Sequence, residues 1–126
     1  VTELKSREES KSLAQELRTL SPGVTGGVVR MRQHAYGEGK VAKKYKLLAA
    51  VSISVAIRCE PCIRAYVEWA GKEGATKEEL VEFLNVAITM QGCPGEEWAL
   101  KALKAYHELL EGSLDTTKEG CCEIPV

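Results

Sequence analysis

The stretch Leu47-Leu-Ala-Ala-Val-Ser-Ile-Ser-Val-Ala-Ile57 is the longest apolar run in the chain, and it decides the fold. It forms the C-terminal part of a predicted helix that extends from about Val41 to Arg58 and is apolar on nearly every side. Such a helix must be covered all round by other helices or by subunits, so we place it at the centre of the fold. The run is about half the ~20 residues that a bilayer span needs. We therefore do not expect this chain to be a membrane protein.

The rest of the chain carries apolar residues at helical spacing, and no run alternates as a strand would. The sequence therefore predicts an all-α protein of about six helices. Its clearest helix start is Thr76-Lys77-Glu78-Glu79, a capping box in which side chains bind the free N–H groups of the first turn. Proline and glycine residues mark most of the other boundaries. The predicted helices cover residues 3–20, 22–35, 41–58, 61–71, 77–91 and 96–111.

Length and charge narrow the class of protein further. The chain has 126 residues, which suits one predicted domain over residues 1–112 and a tail over 113–126 without helical periodicity. The 17 Lys and Arg residues nearly balance the 18 Asp and Glu residues, so we expect no nucleic-acid partner. No apolar run follows the charged N-terminal residues, which predicts no signal peptide and a cytoplasmic location.

Five cysteines are the candidate reactive groups. An odd number without a secretory signal argues against a disulfide framework, so the thiols are buried, metal-binding or redox-active. Cys59 and Cys62 form a C-x-x-C motif, whose two sulfurs can share a disulfide or a metal ion. Cys93, in a Gly-Cys-Pro-Gly helix stop, is expected to be buried. Cys121 and Cys122 either reach the C-x-x-C pair and pass it electrons, help it to bind a soft metal, or have no function.

The proline within the C-x-x-C motif predicts its local geometry. Pro61 disfavours the helical conformation at the residue before it and suits a first helical turn, so a helix should begin at about Pro61. Cys62 then lies in that turn, where free N–H groups and the helix dipole lower the pKa of a thiol below ~8.5. Cys62 is therefore the candidate nucleophile and Cys59 the resolving thiol. A space-filling pair and half of a four-thiolate zinc site remain open alternatives.

Three segments together carry a family resemblance: Cys59-Glu-Pro-Cys-Ile-Arg-Ala-Tyr66, Gly74-Ala-Thr-Lys-Glu-Glu-Leu80 and Val86-Ala-Ile-Thr-Met-Gln-Gly-Cys-Pro-Gly95. In order and spacing, the chain resembles the alkylhydroperoxidase D-like and carboxymuconolactone decarboxylase family over about residues 37–108. The resemblance implies an all-helical fold assembled into homotrimers or homohexamers. In cysteine-bearing members it implies peroxide reduction or dithiol–disulfide exchange, with the second motif cysteine attacking and the first resolving.

The chain departs from this family in its proton-handling residues. Peroxidase members resemble E-x11-C-x-x-C-x-x-x-H, in which the Glu and His move protons. Here Leu47 stands at the Glu position and Tyr66 at the His position. A leucine relays nothing, whereas a phenol donates a hydrogen bond but is a poor base near neutral pH. Tyr66 lies four residues after Cys62 on the same helix face, so it is either a third catalytic residue or an ordinary packing residue.

These observations predict a thiol oxidoreductase that acts on a peroxide or a disulfide. It would take electrons from an external dithiol or protein donor, and it would hold no cofactor. Neither His34 nor His107 stands at a metal-ligand spacing from the cysteines, so no metal site is assigned. Two alternatives remain open: a metal or metalloid thiolate-binding protein that uses the C-x-x-C pair and the tail cysteines, and a family member without peroxidase activity.

Overall fold

The structure is a computed structural model, and it describes residues 2–112, with the side chains of residues 9 and 12–112. The described part contains six α-helices and a final π-helical turn, with no strand, which confirms the all-α prediction. The helices are α1 (Thr2–Leu20), α2 (Pro22–Tyr36), α3 (Lys43–Ala56), α4 (Glu60–Lys72), α5 (Lys77–Gln91) and α6 (Cys93–Tyr106), and the π turn is His107–Glu111.

The chain divides into two compact units, Val1–Gly37 and Glu38–Val126. In the first unit, α1 packs on α2. Ser21 separates these two helices: its N–H donates a 2.8 Å hydrogen bond to the carbonyl of Leu17, and its own carbonyl accepts one from the Thr25 hydroxyl at 2.7 Å. Pro22 begins α2. The N–H that proline lacks would have no partner within the helix at this position, so no hydrogen bond is lost. The second unit contains α3 to α6 and the π turn.

Helix α3 is the centre of the second unit, as its sequence predicts, because it contacts α4, α5 and α6. Its most buried side chains, none more than 1% exposed, are Leu47, Leu48, Val51 and Val55. Each fully buried side chain of this size stabilises the fold by about 1.5–3 kcal/mol. The other three helices do not enclose α3, because Ile53 and the C-cap residue Ile57 remain 61% and 66% exposed. One apolar side of α3 is therefore open within the described chain.

The predicted capping box is present at the start of α5. The N–H of Glu79 donates to the Thr76 hydroxyl and the N–H of Thr76 donates to a Glu79 carboxylate oxygen, both over 3.1 Å. Glu79 also lies 2.9 Å from the ammonium group of Lys44 at the start of α3. Further along, the Ser52 hydroxyl donates to the carbonyl of Phe83 at 2.7 Å. These contacts show that α3 and α5 run side by side in the same direction.

Glu79 and Lys44 perturb each other's titration. The Lys44 ammonium, together with the Thr76 N–H, holds the pKa of the Glu79 carboxyl below its usual value of 4.5. Hydrogen bonding to Glu79 in turn raises the pKa of Lys44 above 10.5. Both directions follow from stabilising the charged form of each group.

The Gly92-Cys93-Pro94-Gly95 segment differs from the prediction. Only Gly92, with φ 68°, separates α5 from α6, and α6 begins at Cys93 and not at Glu96. Pro94 fits in the first turn of α6, and Gly95 is buried against α5, where a Cβ atom would lie 3.0 Å from the carbonyl oxygen of Ala87. The predicted burial of Cys93 is also wrong, because this first helical residue is exposed.

The last helix ends earlier than predicted, at Tyr106, and widens into the π turn. Its end is anchored at two points: Leu110 occupies the space that a Cβ on Gly71 would fill, and Glu111 lies 3.1 Å from the ammonium of Lys77. That lysine lowers the pKa of Glu111, with a smaller contribution from His107. Gly112 terminates the turn with φ 66°, in the left-handed region that glycine adopts without steric strain. No described helix is long and apolar enough to cross a membrane.

Candidate functional site

The C-x-x-C motif follows the C-terminal end of α3. The N–H of Arg58 donates to the carbonyl of Val55 at 3.2 Å, and the N–H of Cys59 donates to the carbonyl of Ser54 at 3.0 Å. This pair of bonds is a Schellman motif, which satisfies the last carbonyls of a helix and turns the chain sharply. Arg58 occupies the left-handed position of the motif, with φ 56°, where glycine is the usual residue. The end of α3 thus determines where Cys59 lies.

The same cysteine begins the next helix. Cys59 is the N-cap residue of α4 with an extended backbone, and its carbonyl accepts the N–H of Ile63 at 2.9 Å. Helix α4 starts at Glu60, one residue before the predicted Pro61, so Cys62 lies in the first turn as expected. The N–H groups that precede Ile63 come before the first bond of the helix and point out of its end. This end of α4 carries the positive end of the helix dipole.

Cys59 and Cys62 are joined by a disulfide, with their Cα atoms 5.3 Å apart. Both residues are half-buried, whereas Ile63, the next residue, is fully buried and anchors the turn in the core. The two sulfurs are therefore held together on a fixed helix end without being sealed inside the protein. This arrangement is compatible with a redox role for the pair.

One charged residue of α6 and one of the π turn pair with charged residues in the first half of α4. Lys101 Nζ is 3.8 Å from Glu60 Oε2 and 5.1 Å from the ring centroid of Trp98. Arg64 Nη1, one turn further along α4, is 2.8 Å from Glu108 Oε2. These two ion pairs were not predicted from the sequence. Their spacing was the available signal. Glu60 and Arg64 are four residues apart, and Lys101 and Glu108 are seven apart, so each pair of opposite charges lies on one face of its helix.

Tyr66 and Leu47 occupy different environments. Tyr66 lies on α4 one turn after Cys62, half-buried, with its ring edge-on to that of Trp69 at a centroid distance of 5.2 Å. Leu47, at the position of the family's Glu, is 1% exposed within the core. The structure therefore brings Cys59, Cys62 and Tyr66 to consecutive turns of one helix, while Leu47 serves core packing.

The described residues offer no complete metal site. Among residues 2–112, no group of three or more His, Cys, Asp or Glu side chains is arranged to hold a metal ion. Cys59 and Cys62 alone would supply two of the four ligands of a tetrahedral zinc site. The other two cysteines considered for that role, Cys121 and Cys122, lie outside the described residues.

Comparison with known sequences connects this site to a family. Residues 22–105 match the model of the carboxymuconolactone decarboxylase family. An uncharacterized protein of Cupriavidus necator is 32% identical over 110 residues, which cover 86% of this chain and 96% of that protein. An uncharacterized protein of the cox locus of Paracoccus denitrificans is 34% identical over 74 residues, which cover 59% of this chain and 67% of that one.

Comparison with known structures points to the same family. The crystal structure of a carboxymuconolactone decarboxylase family protein from Legionella pneumophila, in its apo form, superposes with a TM-score of 0.77 at 32% identity. The superposition covers 81% of this chain and 91% of that one. Sequence and structure therefore agree with the resemblance that the three motif segments carry, and the chain belongs to the carboxymuconolactone decarboxylase family.

Proposed function

We propose that the protein is a thiol oxidoreductase in which Cys62 attacks a peroxide or a disulfide and Cys59 resolves the intermediate. One observation carries this proposal: the two cysteines are bonded to each other at the N-terminal end of α4, with Cys62 in its first turn. After reduction, the free N–H groups and the dipole at this end favour the thiolate form of Cys62. The thiolate is the form of cysteine that acts as a nucleophile.

With a peroxide, the Cys62 thiolate attacks one oxygen and the O–O bond breaks. An alcohol or water leaves after taking up a proton, and Cys62 becomes a sulfenic acid. The Cys59 thiol then attacks that sulfur, water leaves, and the Cys59–Cys62 disulfide forms. An external dithiol, free or on a partner protein, returns two electrons and two protons. We place this cycle in the cytoplasm, where thiol pools keep such donors reduced.

With a disulfide substrate, the Cys62 thiolate attacks one sulfur and expels the other as a thiolate. Cys59 then attacks Cys62 in the mixed disulfide and releases the second half of the substrate. This reaction needs less help from a proton donor, because a thiolate leaves without protonation and hydroxide does not. Since Leu47 replaces the relay carboxylate, the residues present favour disulfide exchange, and Tyr66 is the hydrogen-bond donor that would assist peroxide reduction.

Three single substitutions test the proposal. Cys62→Ser should abolish turnover of both a peroxide and a small disulfide with dithiothreitol as donor, because it removes the nucleophile. Cys59→Ser, given substrate without dithiothreitol, should stop at the first intermediate, which mass spectrometry shows as a Cys62 sulfenic acid with a peroxide and as a mixed disulfide with a disulfide substrate. Cys93→Ser is the matched control, since it removes an exposed thiol outside the motif. Unchanged turnover in Cys62→Ser would contradict the proposal. So would stoichiometric zinc in anaerobically purified protein, which would favour metal binding.

We also propose that the active protein is a homotrimer or homohexamer. Four exposed apolar side chains, two at the C-terminal end of α3 and two on α5, support this assembly, because they are between 61% and 83% exposed. They are Ile53, Ile57, Val86 and Met90. Sedimentation of the purified chain tests the proposal: an Ile53→Asp/Met90→Asp variant should dissociate, whereas Glu82→Asp, an exposed change on the same helix, should not. A monomeric wild-type chain would overturn it.

A further inference from the structure

One residue beside the disulfide has a backbone conformation that its side chain disfavours. Among the described residues, Arg58 is the only non-glycine residue with a positive φ, 56°, and it lies between α3 and Cys59. Glycine adopts this conformation without steric strain, and asparagine adopts it more readily than most residues. The backbone turn therefore does not require an arginine. Because strained residues cluster at functional sites, the guanidinium group is the part of Arg58 that needs an explanation.

The other charges around the C-x-x-C motif are paired. Three charged residues stand within two positions of a motif cysteine: Arg58, Glu60 and Arg64. Glu60 Oε2 lies 3.8 Å from Lys101 Nζ, and Arg64 Nη1 lies 2.8 Å from Glu108 Oε2. Arg58 is exposed, and its guanidinium group makes no ion pair or hydrogen bond with any residue that the structure describes. The charge left uncompensated at the motif is therefore one positive charge.

This positive charge and the disulfide lie at the same end of α4. Arg58 directly precedes Cys59, with about 3.8 Å between consecutive Cα atoms, and the Cα atoms of Cys59 and Cys62 are 5.3 Å apart. The free N–H groups and the dipole of α4 add partial positive charge at this end. A long arginine side chain can contact a substrate whose sulfur is bound to either cysteine. The local field favours a substrate that is an anion.

We propose that Arg58 binds a carboxylate of the substrate, and that the protein acts on small disulfides that carry a carboxylate near their S–S bond. A guanidinium group forms two parallel hydrogen bonds with a carboxylate, which holds the substrate in one orientation. The attacking Cys62 thiolate repels an anionic substrate, and the positive charge of Arg58 offsets that repulsion. The inference rests on the proposed function, because it requires Cys59 and Cys62 to exchange with disulfides.

Arg58 holds the substrate while the cysteines carry out the exchange. The Cys62 thiolate attacks one substrate sulfur, the substrate S–S bond breaks, and the other half leaves as a thiolate. Cys59, once deprotonated, attacks Cys62, which releases the first half and forms the Cys59–Cys62 disulfide. Two electrons and two protons pass from the cysteines to the substrate, and an external dithiol later returns them. Since Arg58 forms no covalent bond, its removal should weaken substrate binding and leave the exchange itself intact.

Three matched disulfides test this inference. They are 3,3′-dithiodipropionate, bis(2-hydroxyethyl) disulfide and cystamine, which share the same two-carbon arms and end in a carboxylate, a hydroxyl and an ammonium group. Each is mixed at varied concentration with fully reduced protein at about 0.1 M ionic strength, where charges more than about 10 Å apart are screened. Alkylation and mass spectrometry follow formation of the Cys59–Cys62 disulfide in wild type, Arg58→Gln and Arg58→Lys. Lys72→Gln is the control, because it removes the same charge at the other end of α4.

The expected result is a change in charge preference. The ratio of the second-order rate constant for the dianion to that for the dication should fall about fivefold in Arg58→Gln, because one attraction and one repulsion are lost. The intrinsic reactivity of each disulfide and any change in Cys62 ionisation cancel in this comparison. For the dianion, the half-saturation concentration should rise while the limiting rate stays unchanged. In 1 M salt the wild-type ratio should approach that of Arg58→Gln.

The two remaining variants separate charge from backbone effects. Arg58→Lys keeps the charge and Lys72→Gln leaves the motif intact, so both should stay within about twofold of the wild-type ratio. Equal slowing with all three disulfides in Arg58→Gln would overturn the inference, because Arg58 would then serve only the backbone turn. A ratio in Arg58→Lys as low as in Arg58→Gln would also overturn it, since positive charge would then not be the cause.

Two further measurements keep this inference distinct from the proposed function. Circular dichroism and urea unfolding verify that the Arg58 variants keep the helical fold. If reduced wild type reacts with none of the three disulfides, disulfide exchange fails as the proposed function and the inference fails with it. A wild type that reacts with all three, and whose charge preference is the same as that of Arg58→Gln, contradicts only this inference.

Discussion

The backbone N–H of Cys59 donates a 3.0 Å hydrogen bond to the carbonyl of Ser54, so one sulfur of the disulfide is positioned by the last turn of the preceding helix. Ser54 is buried, and its hydroxyl donates to the carbonyl of Ala50 at 2.7 Å. The bond to Cys59 forms only because Arg58, between the two helices, adopts φ 56°. The site therefore depends on a backbone conformation that a non-glycine residue adopts at a cost.

Replacing Arg58 with glycine should stabilise the protein. The left-handed conformation of an L-residue destabilises the folded state by about 1–2 kcal/mol. Glycine removes this strain, but its greater freedom in the unfolded chain offsets about 0.5–1 kcal/mol of the gain. We expect Arg58→Gly to raise the free energy of unfolding in urea by about 0.5–1 kcal/mol. Arg58→Ala keeps the Cβ atom and is the control, with little change expected. A loss of stability in Arg58→Gly would show that the guanidinium group contributes more than the strain costs.

Restoring the family's carboxylate at Leu47 should destabilise the protein, since this side chain is 1% exposed. Burial raises the pKa of a carboxyl above its usual ~4.3, and a buried unpaired charge costs about 3–5 kcal/mol. Leu47→Glu should therefore be less stable than Leu47→Gln at pH 7, and the difference should vanish near pH 4, where both side chains are neutral. Urea unfolding at the two pH values measures this. Equal stability at pH 7 would mean that the core can accommodate the carboxylate.

The Glu79 carboxylate should stabilise the fold only above acidic pH. Because its pKa is lowered by Lys44 and the Thr76 N–H, its contribution is complete above the usual value of 4.5 and is lost as the pH falls through the lowered pKa. Glu79→Gln should thus unfold at lower urea concentration than wild type at pH 7, and the two midpoints should converge below pH 4.5. Glu78→Gln, an exposed change in the same helical turn, controls for net charge. A gap that persists at low pH would contradict this account.

Adding a methyl group at Gly95 should separate α5 from α6. A Cβ there would lie 2.8 Å from Gln91 Cβ and 3.0 Å from the carbonyl oxygen of Ala87, and the backbone oxygen has no rotamer that moves it away. Gly95→Ala should lower the free energy of unfolding by about 1–3 kcal/mol. Gly26→Ala is the control, because its nearest neighbour, an Arg30 side-chain nitrogen, is at an ordinary 3.5 Å. It should be neutral or stabilising by up to about 1 kcal/mol.

Removing the Tyr66 hydroxyl should affect peroxide reduction more than disulfide exchange. Tyr66→Phe keeps the ring that packs edge-on against Trp69. Loss of a hydrogen bond to a charged group is worth about 1.5–3 kcal/mol, so we expect kcat/KM for peroxide to fall at least about tenfold. Thermal stability and turnover of a disulfide substrate should change little, and Tyr106→Phe is the control. Unchanged peroxide turnover would make Tyr66 a packing residue.

Local sequence signals predicted the first turns of α4 and α5 well. Pro61 restricts its own backbone and that of the residue before it, and the Thr76–Glu79 capping box is complete within four residues, so both helix starts could be read from short segments. The spacing of Cys59 and Cys62 predicted two sulfurs close enough to share a disulfide or a metal ion, and the structure has the disulfide. These features depend on interactions between near neighbours in the sequence.

The errors arose where packing between helices decides the structure. Gly92 to Gly95 has the composition of a loop, yet Gly95 is part of a helix because its missing side chain lets α6 approach α5. Cys93, the first residue of α6, is exposed, which no local pattern specifies. Lys101 and Glu108 reach Glu60 and Arg64 only because α4 and α6 run in the same direction.

The disulfide links two residues three positions apart, and both belong to the same helix start. Opening it lengthens no loop that connects distant parts of the molecule, and the buried Ile63 beside it keeps its neighbours. Under the proposed function, the disulfide can therefore open and close in each cycle while the core of the protein stays the same.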